Sequence, residues 1–357
     1  MAERREVPRV SVVVAAYNVE QYIEQCIESL CSQTLHEIEI ILVDDGSTDQ
    51  TPAICERFAQ MDERIRVIHK PNGGLVSARK AGAAVAKGQF IGCVDGDDFV
   101  EPEMYEALAD AAEYSAASMA ECQFFHYIQE SGEKQENRGV LKQGVYDRDA
   151  LRQVLYPTLL TEMREPPSSC NKIYATELYR RHIGTISDRI VQGEDFCLTY
   201  PMLMEKDVRL AVVDRPLYDY RILKRSMSHG YRRGLIDSYT LLLEHVEAAV
   251  MQSAEPVLIG QMDVLRPSYM MSCVCNEMLP DAPRPYAASH SIVRQAALSC
   301  TPQQWRSLIQ SDKGRPKTER LVAQLCESRN FALLDVLIRL KRVQLTLREK
   351  KENRNND

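Results

Sequence analysis

The chain has 357 residues and a mass of 40.6 kDa, which at about 150 residues per domain corresponds to about two domains. Hydrophobic residues make up 45% of the chain and charged residues 27%, a composition that excludes disorder throughout. The formal net charge of −7 argues against a surface built to hold a nucleic-acid backbone, so we expect no nucleic-acid partner.

The first 110 residues alternate between strand and helix patterns. The predicted strands are continuous apolar runs, and the predicted helices have apolar residues at three-and-four spacing. In chain order we predict strand Val10–Ala16, helix Asn18–Leu30, strand Ile38–Val43, a helix capped by Thr51, strand Ile65–Ile68, helix Val76–Ala86 and strand Phe90–Val94. This alternation predicts an α/β fold with a mostly parallel, doubly wound sheet, in which ligands bind at the carboxyl ends of the strands.

The pattern changes after about residue 115. We predict a strand at Met119–Ile128, a polar loop at Glu130–Gly139, a helix from Tyr146 to about Leu160 and short mixed elements from Ser168 to Gly230. Only helical patterns follow: Leu235–Met251, Pro256–Met278, Ser291–Cys300, Gln303–Ile309, Glu319–Ser328 and Phe331–Lys351. The predicted division is 1–115, 116–230 and 231–357, the last being an all-helical C-terminal region.

The eleven cysteines are scattered singly, without zinc-ribbon spacing, and the charged N-terminal segment does not resemble a signal peptide. This pattern predicts reduced thiols in the cytoplasm, most of them buried as small apolar side chains. No apolar run reaches the roughly 18 to 20 residues that a membrane span needs. We therefore expect a cytoplasmic location.

Acidic residues follow two of the predicted strands directly. Asp95, Asp97 and Asp98 lie within four residues and repel one another unless a positive charge lies among them. A divalent cation bridging to phosphate would supply that charge. The alternatives are a solvated acidic turn and an EF-hand loop, and the second fails because Val100 occupies the position that requires glycine.

The other strand ends add groups that suit a nucleotide. Asp44 and Asp45 end the second long strand, and Tyr17 and Asn18 end the first. An aromatic face at this edge can stack on a nucleotide base, and a carboxylate can accept a hydrogen bond from the ring N–H of that base. Part of this pattern also fits a turn and a helix cap. Arg79, one turn into a helix that follows a glycine-rich turn, could reach a phosphate or a base edge.

Four segments, in this order and spacing, resemble the family 2 inverting glycosyltransferases of the GT-A fold, of the bacterial polysaccharide type. They are Val12–Asn18, Val43–Asp49, Asn72–Arg79 and Val94–Asp98. The resemblance covers about residues 8 to 230. It implies a nucleotide-diphosphate sugar donor, usually UDP-linked, and a glycan or lipid-linked acceptor.

The resemblance also assigns roles to residues. Asp195 would be the general base, with Glu194 beside it in a Glu-Asp motif, and Asp97 would ligate Mn²⁺ or Mg²⁺, with His229 as a further metal ligand. The implied nucleotide-sugar-binding residues are Ala15, Tyr17, Asn18, Asp45, Arg79, Asp95, Gly96, Arg221 and Ser226. Two positions depart from the family pattern: Ala15 replaces the usual proline and Lys80 replaces the usual asparagine.

The mechanism that follows is a single displacement that inverts the anomeric centre. Asp195, beside a helix N-terminus that favours its charge, would accept the proton of the attacking hydroxyl. A metal on Asp97, with Arg221, would stabilise the leaving diphosphate. The alternatives are a sugar-phosphate nucleotidyltransferase, whose usual Gly- and basic-rich N-terminal loop is missing from Val10–Gln21, and a non-catalytic nucleotide-sugar-binding protein.

The last predicted helix permits two interpretations. An apolar stripe is flanked by basic residues and consists of Phe331, Leu334, Leu337, Ile338, Val343, Leu345 and Leu347. Docking against its own domain is the default, and peripheral contact of residues 331–351 with anionic lipid at the inner face of the membrane is the alternative.

Overall fold

The computed structural model describes residues 7–223, 230–282, 287–311 and 314–355. Its ten strands belong to one sheet. They are β1 (Val10–Ala16), β2 (Ile38–Asp44), β3 (Ile65–His69), β4 (Phe90–Asp95), β5 (Phe99–Val100), β6 (Met119–Ile128), β7 (Glu133–Asn137), β8 (Gly144–Asp147), β9 (Lys172–Ala175) and β10 (Arg209–Ile222).

Helices alternate with these strands along the chain and alone make up its last part. They are α1 (Ile23–Cys31), α2 (Thr51–Met61), α3 (Leu75–Val85), α4 (Met104–Ser115), α5 (Arg148–Val154), α6 (Thr176–Thr185), α7 (Glu194–Leu203), α8 (Leu235–Ser253), α9 (Pro256–Asn276), α10 (Ala287–Leu298), α11 (Pro302–Gln310), α12 (Lys317–Glu327) and α13 (Phe331–Asn355). No helix in the described ranges combines the length and the apolar character that a membrane span requires.

The strand order is β3-β2-β1-β4-β9-β6-β10-β5, with β7 paired to β6 and β8 to β10. The first four strands of this order are parallel, as predicted, and β9 is antiparallel to both of its neighbours. Nearly all residues of β1 and β2 are buried, whichever face they point to, and α3 packs on both strands. Continuous apolar runs are typical of strands covered on both faces.

Several details differ from the sequence prediction. Helix α1 begins at Ile23, because Asn18 has a φ of 52° that a right-handed helix does not accept. The predicted polar loop at 130–139 contains β7, whose exposed polar side chains give no apolar alternation. Helix α5 ends at Val154, earlier than predicted.

The chain divides into two compact units. The first comprises Met1–Leu159, Met163–Lys224 and Ala248–Ser253, and it holds the sheet. The second comprises Leu160–Glu162, Arg225–Glu247 and Ala254–Asp357, and it is helical. The predicted division at residues 115 and 230 stays a prediction.

The second unit has its own core of helix against helix. Helices α10, α11 and α12 pack on α9, and Trp305 is fully buried, with its indole N–H donating to the carbonyl of Ala297 at 3.1 Å. Met270, Met271 and Met278 are buried, so this methionine-rich stretch is part of the core. All eleven cysteines are free thiols, nine buried and two half-buried.

Candidate functional site

The carboxyl ends of three strands meet at one edge of the sheet. In the registers of the ladders, Ala16 of β1 lies beside Asp44 of β2, and Ala15 lies beside Asp95 of β4. The polar residues that follow these strands are therefore neighbours in space. The predicted cluster at this edge forms in the structure.

Asp45 connects the end of β2 to the glycine-rich turn before α3. Its carboxylate is buried and accepts hydrogen bonds from the amides of Gly73, at 3.0 Å, and Gly74, at 2.7 Å, and from the ammonium of Lys70. The side chain thus fixes the turn through which the chain enters α3. The hydrogen bonds that Asp45 accepts thus come from residues of the same turn and its approach, Lys70, Gly73 and Gly74.

Tyr17 and Asn18 lie at the surface where β1 ends. The ring of Tyr17 is 50% exposed, so an aromatic face is available at the edge of the sheet. The side-chain oxygen of Asn18 accepts from the amide of Thr48 at 2.8 Å, and the Ala15 carbonyl accepts from the amide of Gly96 at 2.9 Å. These bonds hold the first two motifs and the acidic turn together.

The acidic turn after β4 presents its three carboxylates differently. Asp98 is buried and accepts from the Tyr218 hydroxyl at 2.6 Å and the Arg221 amide at 2.7 Å. Asp95 is bonded to Arg79. The carboxylate of Asp97 accepts no hydrogen bond from another side chain of the described chain. Burial, then the charge of Asp95, raises the pKa of Asp97 to about 6.

This donor set fits a divalent cation bound partly by substrate. Burial and the neighbouring Asp95 both disfavour the charged form of Asp97, and a bound cation would favour it. No group of three or more His, Cys, Asp or Glu side chains in the described ranges is arranged as a complete metal site. Mg²⁺ and similar ions are commonly held by one or two carboxylates plus substrate phosphates, and Asp95 and Asp97 can supply that protein share.

Arg79 joins the acidic turn to the Glu-Asp motif. Its guanidinium, 1% exposed, donates to Asp95 Oδ1 at 3.0 Å and to Asp195 Oδ1 at 2.7 Å, and it lies 3.7 Å from Glu194. Burial alone would lower the pKa of Arg79, but the carboxylates of Asp195 and Asp95 raise it well above its ordinary value. One buried cation therefore organises carboxylates from two motifs.

Glu194 and Asp195 open helix α7, after Gly193 with a φ of 86°. Burial, followed by the charge of Asp195, raises the pKa of Glu194 to about 7. The side chain of Asp195 remains one quarter exposed. The motif therefore offers one accessible carboxylate at a helix N-terminus, where the helix dipole favours negative charge.

Two site residues carry no sequence signal that we recognised. Ser169 donates from its hydroxyl to Asp195 Oδ1 at 2.6 Å, and the Cys170 thiol lies 3.5 Å from both Asp95 Oδ2 and Arg79 Nη2. Both residues precede β9, the antiparallel strand beside β4. A lone Ser-Cys pair has no characteristic spacing, and only the sheet topology brings it to the site.

Arg221, near the end of β10, is buried and each of its side-chain nitrogens has a protein acceptor. Nε donates to the Asp97 carbonyl at 2.5 Å, Nη2 to Gln25 at 2.7 Å, and Nη1 to Gln129. Three rings surround the guanidinium at 5.0 to 5.3 Å, those of Tyr22, Phe99 and Tyr127. These contacts support the backbone of the acidic turn. Ser226 and His229 lie outside the described residues.

The structure thus brings together most of the predicted site. Lys80, one of the two departures, donates to the Ile186 carbonyl and to Asp188, both at 2.7 Å. Asn171 and Lys172, at the start of β9, are buried.

Comparison with known proteins agrees with these motifs. The family model described as "Glycosyl transferase family 2" matches residues 11–183. EpsH of Bacillus subtilis is 33% identical over 251 residues, which cover 69% of this chain and 70% of EpsH. EpsJ of the same organism is 35% identical over 221 residues, covering 60% of this chain and 61% of EpsJ. Both relatives are described as glycosyltransferases.

The fold has a solved counterpart. A crystal structure of S. aureus TarS residues 1–349 in complex with UDP-GlcNAc superposes with a TM-score of 0.64 at 17% identity, over 94% of this chain and 92% of that one. This likeness confirms the expected GT-A type of α/β fold with a helical C-terminal region. With EpsH matched over more than two thirds of its length, the chain belongs to glycosyl transferase family 2.

Proposed function

We propose that this protein transfers a sugar from a nucleotide-diphosphate sugar, UDP-linked, to a hydroxyl group of a glycan or lipid-linked acceptor, with inversion at the anomeric carbon. The observation that carries the proposal is the contact of one guanidinium, that of Arg79, with both Asp95 and Asp195. The residues proposed for the donor and for the base are thereby held in one site.

Asp195 is the proposed general base. Its Oδ1 accepts from Ser169 and Arg79, while Oδ2 receives no hydrogen bond from the described part of the chain. A carboxylate fixed through one oxygen keeps the other in a defined direction for the proton of the acceptor hydroxyl. The attacking oxygen gains nucleophilicity as that proton leaves.

The donor would lie at the edge of the sheet. The exposed ring of Tyr17 offers a stacking face for the base, and Asp95 and Asp97 would hold Mn²⁺ or Mg²⁺. Such an ion would supply positive charge to the leaving diphosphate. We assign Asp45 and Arg221 to positioning, because the contacts described above direct them to the glycine-rich turn and to the backbone of Asp97.

The relatives support the donor class. TarS, with the same fold, was crystallised with UDP-GlcNAc, and family 2 membership favours glycosyl transfer over nucleotidyl transfer. The matched segment covers 61% of EpsJ. For this reason we state the activity of the whole chain as part of the proposal. The nature of the acceptor rests on the resemblance alone.

The substitution Asp195→Asn tests the proposal. We expect release of UDP from UDP-GlcNAc or another UDP-sugar, in the presence of Mn²⁺ and an acceptor glycan, to fall by about a thousandfold or more, since base catalysis and charge are both removed. UDP binding measured by calorimetry should stay within about threefold, which is a change of under about 1 kcal/mol. Asp188→Asn, at an exposed ion pair with Lys80, is the matched control.

Retained turnover in Asp195→Asn would reject Asp195 as the base. Binding of UDP-sugars by the wild-type chain without any turnover, across donors and acceptors, would favour a non-catalytic nucleotide-sugar-binding protein.

A further inference from the structure

Helix α13 carries a line of exposed aliphatic side chains. We call this line the outer stripe, and its members are Leu333 (54% exposed), Val336 (52%), Leu340 (64%), Val343 (59%) and Leu347 (62%). Their spacing of three and four residues places them within an arc of about 80° on the helix surface. Contiguous exposed apolar patches are typical of protein–protein or membrane interaction sites.

The opposite face of α13 is already used. Leu334 and Ile338 are fully buried, and Arg342 donates from Nη2 to the Glu277 carbonyl at 2.6 Å and to the Ser289 hydroxyl at 2.9 Å. The stripe predicted from the sequence therefore mixed two faces, since its Leu334 and Ile338 are core while Val343 and Leu347 belong to the outer stripe. Because the helix is docked through its inner face, the outer stripe can bind a partner without unfolding.

The charges beside the outer stripe indicate what covers it. At 100° per residue, Arg339 lies on one side of the stripe and Lys341 and Arg348 on the other. The acidic residue of the first turns, Asp335, is 2.8 Å from His290. Over its length α13 has seven Lys or Arg against three Asp or Glu, in a chain whose net charge is −7.

We propose that α13 lies on an anionic phospholipid surface, with the outer stripe among the acyl chains and Arg339, Lys341 and Arg348 at the phosphates. Amphipathic helices with basic flanks bind such interfaces by apolar burial together with electrostatic attraction. The three-and-four spacing also suits pairing with a second copy. A second copy, however, would place the same positive excess against itself, whereas an anionic surface complements it.

Vesicle co-sedimentation of the full chain tests this. We expect binding to phosphatidylcholine vesicles containing phosphatidylglycerol to exceed binding to pure phosphatidylcholine vesicles by at least about tenfold, and to weaken as salt is added. The double variant Leu340→Ser/Val343→Ser should lose binding, and Arg339→Gln/Arg348→Gln should lower the affinity for anionic vesicles by about tenfold or more. Leu298→Ser, at a 59% exposed leucine of α10, is the matched control.

Circular dichroism establishes that each variant is folded, and no donor or acceptor is needed, so the result is independent of the proposed transfer. Equal binding to neutral and anionic vesicles, or none to either, would overturn the proposal. A third result would also overturn it: the wild-type chain forms a dimer in light scattering and does not bind vesicles, and Leu340→Ser/Val343→Ser is a monomer. In that case a second copy covers the outer stripe.

Discussion

Arg79 Nη1 donates a 2.7 Å hydrogen bond to Asp195 Oδ1, although 116 positions separate the two residues in the chain. The same guanidinium is bonded to Asp95 at 3.0 Å. Helix α3, the acidic turn and helix α7 are therefore tied together at one buried charge. Any change at Arg79 acts on the proposed donor residues and on the proposed base at once.

Two substitutions of Arg79 should distinguish the effect of its positive charge from the effect of its two-sided contact with Asp95 and Asp195. Arg79→Met leaves Asp95 and Asp195 without their buried cation, and we expect the free energy of unfolding to fall by about 3 kcal/mol in denaturant titration. Arg79→Lys keeps the charge but cannot reach both carboxylates equally well, so kcat should fall by about ten- to a hundredfold with a smaller stability loss. Arg57→Met, at an exposed ion pair with Glu24, should cost less than about 1 kcal/mol. Equal effects of the methionine and lysine variants would contradict this role.

Ser169→Ala should reduce the rate without weakening donor binding. The hydroxyl donates to the proposed base and to no part of the donor site described here. A hydrogen bond to a charged group contributes about 1.5 to 3 kcal/mol, so kcat should fall by about ten- to a hundredfold while KM for the donor stays constant. Steady-state kinetics measures both, and Ser299→Ala, in the exposed turn that follows α10, serves as the control. An increase in KM alone would instead place Ser169 at the donor.

Two helical glycines should respond in opposite directions to alanine. At Gly82, in α3, an added Cβ would lie 2.3 Å from Val13 Cγ1 of β1, whereas at Gly184, in α6, it meets nothing within 4 Å. Gly82→Ala should therefore destabilise the fold by about 1 to 3 kcal/mol through overpacking. Gly184→Ala should stabilise it by about 0.4 to 1 kcal/mol by restricting the unfolded chain. Thermal or denaturant unfolding distinguishes the two, and a stabilising Gly82→Ala would show that α3 can move away from the sheet.

Stability should depend on pH through a buried acidic pair. Glu165 and Glu121 are buried with Lys172, whose ammonium is 3.3 Å from Glu121. Burial, then the charge of Glu121, raises the pKa of Glu165 to about 8. Between the pKa of Glu165 in the unfolded chain and pH 8, this carboxyl is therefore protonated in the folded state and ionised in the unfolded state. The free energy of unfolding should then decrease as pH rises through this window, by at most about 1.4 kcal/mol per pH unit from this group.

Glu165→Gln should remove this part of the pH dependence, because the amide keeps an acceptor for the Leu141 amide and does not titrate. Denaturant unfolding at several pH values measures the slope, with Glu177→Gln, 87% exposed, as control. An unchanged slope in Glu165→Gln would assign the titration to another buried carboxyl, such as Glu194.

The strands and their acidic ends could be predicted because their signals are local. The continuous apolar run of β1 and the aspartates directly after β2 and β4 lie within short stretches of sequence. Helix α3 and its Arg79 follow from a glycine-rich turn and apolar spacing. These elements also carry the motifs by which the family is recognised.

Other features depend on contacts between distant segments. Ser169 reaches Asp195 only because β9 inserts antiparallel between β4 and β6, and a four-residue strand has no pattern long enough to predict. The expected role of Arg221 at the leaving group stays a prediction. Its surroundings could not be predicted, because the rings and acceptors around it come from separate elements. On α13, the spacing alone did not show which apolar residues face inward.

The thiols described above have a practical consequence. Nine of the eleven cysteines are buried and two are half-buried, and burial raises the pKa of thiols such as Cys26, Cys170 and Cys197. Since the thiolate is the reactive form, the folded chain should react slowly with maleimides. A cysteine introduced at the exposed Tyr17 would then take up a fluorophore selectively, and the native thiols would not have to be removed first.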